Sequence, residues 1–182
     1  MRPCPCDRRA RRPSGDGGFT LIELVALLVL ASVLAAAAVA NLDRLGDTQA
    51  SVASRQLLRD IAYARQRAVA TGTVTWVVFD EAAESWTLLA EDPLNPGRAN
   101  AVPLNDLATG DPFVQTLGDG VYGNVGLVSA DFDTDVEVGF DWKGQPLAAT
   151  ESPLVAEGVV LLTGGHAIRV AVGTGYAVHD AP

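Results

Sequence analysis

Beyond Cys4 and Cys6 the chain of 182 residues has no cysteine, so nothing after residue 6 can be stapled by a disulfide or tied to a thiolate-held metal. The Cys4–Cys6 pair has no further ligands at a metal-binding spacing. Histidine is as scarce. His166 and His179 are the only two, too few for a zinc site without cysteine. No G-x-S-x-G elbow occurs, and Gly173-Thr174-Gly175 lacks the other glycines and the lysine of a phosphate loop, so a turn explains it. With no motif that carries a catalytic mechanism, neither an enzyme, a cofactor nor a metal is expected. Positive charge is missing where nucleic-acid binding would need it. The formal charge is −9; residues 1–18 hold five arginines against two aspartates, which leaves the remainder at −12. The last ten residues, 173–182, contain no Lys or Arg, and DNA is not expected as a partner.

What is present is an apolar run over residues 19–40. At about 1.5 Å per residue a helix of that length spans about 33 Å, close to the hydrocarbon core of a bilayer. No proline falls inside it to impose a kink, and no Lys or Arg occurs between Phe19 and Arg44. The five preceding arginines place the N-terminus in the cytoplasm by the positive-inside bias. Residues after about 41 then lie outside the membrane. A secretory signal peptide is the competing reading, with residues 35–38 imitating its cleavage site, but its apolar region is shorter. Glu23 separates the two. It is the only ionisable residue of the run, and a carboxylate in hydrocarbon costs about 2.5–3.5 kcal/mol. Cleavage before Phe19 would create an α-amino group four residues away, or on a neighbouring copy, to pair with it.

Gly18-Phe19-Thr20-Leu21-Ile22-Glu23-Leu24 resembles the prepilin peptidase recognition motif of type IV pilins and type II secretion pseudopilins. The resemblance implies cleavage between Gly18 and Phe19, N-methylation of Phe19 and a role for Glu23 in assembly. It also implies as partners the peptidase, other pseudopilins or pilins through the apolar helix, and the inner membrane before assembly. The chain would be a single-pass protein of the bacterial inner membrane, its head in the periplasm, taken up into a periplasmic filament. Many family members carry a proline along the helix, and this chain does not.

Past the apolar run, Leu42, Leu45, Val52, Leu58, Ile61, Ala62 and Val69 recur at helical spacing, so the stem continues to about Thr71, with Gly72 as its stop. Arg44, Arg55, Arg59, Arg65 and Arg67, interleaved with Asp43, Asp47 and Asp60, read as a solvated face. From Thr73 the texture is β-branched and aromatic, broken by Gly, Pro, Asn and Asp. Strands are expected at residues 73–79 and 85–90 as a hairpin, then at 113–117, 121–128 and 131–142. A closing meander takes 159–163, 166–172 and 176–179, and 92–112 is mostly loop. Asp131, Asp133 and Asp135 open like a calcium loop, but Val136 and Trp142 stand where glycine and glutamate are needed. Strand alternation accounts for them instead.

The fold class expected is α+β: a long N-terminal helix, transmembrane in its first half and amphipathic in its second, packed on an antiparallel sheet. The domains are a leader at 1–18, a membrane or filament-core helix at 19–40, its continuation at 41–72 and a β-rich head at 73–182. Leu57-Leu58 with Ala64-Arg65 and Ala68, and the run Gly139 to Pro146, resemble the minor pseudopilins of the GspH/FimT group. That resemblance implies a structural subunit at or near the tip of a type II secretion pseudopilus, serving protein transport. The alternatives are a FimT-like minor type IV pilin for pilus assembly or DNA uptake, and a membrane-tethered binding module with the 92–112 loop as pocket rim.

Overall fold

A computed structural model describes residues 20–106 and 108–182, and only the backbone of residues 37–45. The expected leader and cleavage junction, with Cys4, Cys6, Gly18 and Phe19, lie outside the described residues. Two compact units divide between Asn41 and Leu42. Helix α1 (Leu21–Thr71) forms the first and opens the second. It ends where predicted: Gly72 follows with φ +72°, a left-handed conformation that costs glycine nothing.

The buried face of α1 in the second unit is Ala50, Ala53, Leu57, Ile61, Ala64 and Ala68, at spacings of three and four. This corrects the expected stripe. Ile61 is buried, but Val52 and Val69 are exposed, Leu58 and Ala62 are half-buried, and the side chains of Leu42 and Leu45 lie outside the described residues. The reason is steric. Alanine lets the sheets approach the helix axis closely, whereas a count of large apolar residues favours a neighbouring face.

All strands pair antiparallel, but in two sheets rather than the one expected. The first takes β1 (Thr75–Asp80), β2 (Ser85–Ala90), β3 (Val102–Pro103), β4 (Val114–Thr116), β6 (Glu137–Phe140) and β7 (Pro146–Leu147), in the order β3-β2-β1-β6-β7 with β4 also on β2. The second runs β10-β9-β8-β5, from β5 (Leu127–Asp131), β8 (Gly158–Leu162), β9 (Ala167–Val170) and β10 (Ala177–Asp180). The predicted hairpin is present, with Asp80 opposite Ser85, and so is the closing meander.

Two strand expectations fail. Over 121–128 the chain first forms a single turn of 3-10 helix, Gly120–Tyr122, whose N-terminal Asp119 side chain accepts from the Gly120 N–H. The stretch 131–142 is interrupted at 132–136, because Asp133 (φ 56°) and Thr134 (φ 79°) reverse the chain and send β5 and β6 into different sheets. The aspartates therefore do not alternate along one strand. Asp131 accepts from the Thr134 N–H, and the Asp133 carboxylate accepts from the N–H groups of Val155 and Ala156.

Five aromatics, Trp76, Trp86, Phe79, Phe132 and Phe140, are fully buried, with Phe79 stacked on Phe132 at 5.7 Å between centroids. Their close packing dictates two glycines. A Cβ on Gly139 would meet the Trp76 ring at 2.5 Å, and one on Gly158 would collide with the ring of Phe132.

Candidate functional site

Glu23 lies in the first turn of α1, where its carboxylate complements the positive end of the helix. Thr20 caps that end: its Oγ1 accepts from the Glu23 N–H at 3.3 Å. Thr20-x-x-Glu23 has the spacing of a capping box, a signal that reading Glu23 only as an assembly residue passes over. The apolar residues around it are bare on every side of the helix, from Leu21 at 83% exposure to Leu34 at 69%. Ten large apolar side chains share this exposure. Covering each is worth roughly 1.5–3 kcal/mol. Among the described residues no helix is long and apolar enough to cross a membrane; the expected span also needs Phe19 and the side chains of residues 37–40, which are not described.

In the second unit, Asp60 of the expected solvated face turns inward, while Asp47, Arg55 and Arg59 stay exposed. Asp60 is buried between Ala53, Leu57, Ile61 and Ala64 in the sequence. Its Oδ2 accepts from the Trp86 indole N–H at 2.9 Å and its Oδ1 from the Gln56 amide at 2.9 Å. Burial pushes its carboxyl up from 3.8 to about 6, against those two hydrogen bonds and the charge of Arg59. Beside it opens a pocket of about 310 Å³, with Tyr63, Phe113 and Asp106 on its walls. Tyr63 and Phe113 stack at 6.1 Å. The binding-module reading anticipates this rim in part, since Asn105 and Asp106 belong to the 92–112 loop.

Arg65 also departs from a solvated face. Its Nε donates to the carbonyls of Thr174 (2.9 Å) and Gly144 (3.2 Å), and its guanidinium lies 4.2 Å from the Tyr176 ring centroid. It ties α1 to two turns that sequence alone leaves unconnected. One is the Gly139–Pro146 run, in which Asp141 accepts from the N–H groups of Lys143 and Gln145.

His166 and His179, too few for a zinc site, are nonetheless brought together. Their Nδ1 and Nε2 lie 3.0 Å apart, and His166 Nε2 is 3.2 Å from Asp47. Burial, then the neighbouring His166 and Arg55 charges, holds His179 below its ordinary value, with Asp180 opposing. No signal in a single sequence marks this pairing: it depends on β9 and β10 lying side by side.

No family model matches the chain, and no curated protein does. Solved structures do. Two structures of the minor pseudopilin EpsH from the type II secretion system of Vibrio cholerae superpose with a TM-score of 0.53 each, at 9% and 11% identity. They cover 74% and 75% of this chain and 96% of theirs. The type IV minor pilin FimU of Pseudomonas aeruginosa aligns at a TM-score of 0.44 and 14% identity, over 74% of this chain and 89% of its own. The chain thus has the α+β fold of a minor pseudopilin, the group that its Leu57–Ala68 and Gly139–Pro146 patterns resemble.

Proposed function

We propose that this chain is a minor pseudopilin of a type II secretion system, a non-catalytic structural subunit at or near the tip of a periplasmic pseudopilus. It is made as an inner-membrane precursor with its N-terminus in the cytoplasm. Prepilin peptidase cuts between Gly18 and Phe19 and methylates Phe19. The observation that carries this reading is α1 itself, whose Leu21–Leu34 side chains are uncovered on all sides around one carboxylate, Glu23. Such a surface needs lipid first and neighbouring subunits later. The fold shared with EpsH supports the pilin-like part of this reading.

The test is Glu23→Ala in the native host. The precursor should still insert and be cleaved, because the cut lies at the Gly18–Phe19 junction. Cross-linking to partner pseudopilins should fail, and secretion with it. Removing one member of a buried pair leaves the other charge uncompensated, at about 3–5 kcal/mol, enough to shift assembly by two or more orders of magnitude. Glu23→Gln should fall between. If Glu23→Ala cross-links and secretes normally, Glu23 is only a helix-capping residue and α1 a plain anchor. Loss of pilus function with secretion intact would instead favour the minor-pilin alternative.

A further inference from the structure

We propose that the pocket beside Asp60 is a docking site for a guanidinium side chain presented by a partner polypeptide. This goes beyond the assembly role of α1 and does not depend on it.

Asp60 is an acid placed where a fold has no need of one. A buried leucine would fill the space, and the Trp86 indole needs only a neutral acceptor. A carboxylate offers about four acceptor positions, and Trp86 and Gln56 occupy two. Asp60 is only 3% exposed, yet it is one of the residues that line an open pocket. At about 310 Å³ that pocket sits at the small end of ligand sites, room for one long side chain rather than a cofactor.

The walls suit a planar cation. Tyr63 and Phe113, stacked on each other with rings within 15° of parallel, add aromatic surface to the pocket wall for a guanidinium or its apolar stem. Asp106 adds a second carboxylate from the loop, and Arg59 is the opposing charge at the rim. Around Asp60 the polar groups are then Gln56 and Arg59 of α1, Trp86 of β2, and Asn105 and Asp106 of the loop, with Tyr63 the other titratable neighbour. The charge of −12 outside the leader favours a cationic partner at longer range. Burial makes the carboxylate costly to ionise despite its two hydrogen bonds, and an incoming cation relieves that cost.

The experiment titrates the full chain in detergent micelles with N-acetylarginine methylamide and follows the Trp86 indole N–H by NMR, 2.9 Å from Asp60. A saturable shift is expected, with affinity about tenfold weaker at pH 5 than at pH 7.5, because a carboxyl titrating near 6 is about one-tenth ionised at pH 5. The neutral isostere N-acetylcitrulline methylamide should produce no saturable shift. Asp60→Asn should abolish binding and its pH dependence, and Asp106→Asn, a change on the loop that leaves the core untouched, should weaken it severalfold. An unsaturable response, equal binding of the citrulline compound, or full affinity in both variants overturns the proposal.

Discussion

Replacing Asp60 by asparagine tests whether the buried carboxylate is held against its own solvation. The side chain keeps its shape. Its amide oxygen can still accept from Trp86, and a rotated Gln56 amide can accept from its nitrogen. What changes is the proton. Between pH 3.8 and about 6 the folded protein retains a proton that the unfolded chain has released, so this group makes stability fall as pH rises through that window, and level off above it. About two pH units at 1.36 kcal/mol each gives a loss of about 3 kcal/mol. Asparagine has no such proton to release. The stability of Asp60→Asn relative to the parent should therefore grow by about 3 kcal/mol between pH 3 and pH 8. For a domain of this size that is roughly 6–12 °C in the midpoint difference. Tryptophan-fluorescence melts of both proteins across that range make the comparison, and other titrating groups cancel in the difference. A difference that stays constant with pH would refute the reasoning.

Gly158→Ala should cost about 1–3 kcal/mol, because its methyl group enters the Phe132 ring; a midpoint in urea unchanged from the parent would contradict this packing. Arg65→Ala should cost about 1.5–3 kcal/mol through the lost bonds to Gly144 and Thr174, and hydrogen exchange should rise in both turns together. Arg65→Lys should recover little, since an ammonium cannot reproduce the stacked, planar donor. His179 is held below its ordinary 6.5, so the unfolded chain binds protons more readily than the folded one. Stability should be full above pH 6.5 and decline as pH falls below it, and His179→Phe should flatten that decline in denaturant titrations between pH 7.5 and 5.

Local information settled a good deal of this protein. The helix stop at Gly72, the β1–β2 hairpin, the closing meander and the α+β class all rest on short-range rules: left-handed glycine, β-branched runs and turn residues act within a few positions. The bare apolar helix and its one carboxylate are equally a matter of composition, and they carry the proposed function. The buried face of α1 was harder to read. Alanine is apolar but small, and its value there lies in how closely a sheet can approach, which depends on residues far away in sequence. The same holds for the second sheet: Asp133 and Thr134 adopt left-handed conformations that their side chains do not announce. Above all, the groupings that invite chemistry are products of tertiary contact. Asp60 meets Trp86 across 26 positions, Arg65 meets Thr174 across 109, and His166 meets Asp47 across 119. A sequence specifies each of these groups and its charge. Only the packing of α1 against two sheets decides which charges lose their water, and so which side chains become a clamp, a paired imidazole or the wall of a pocket.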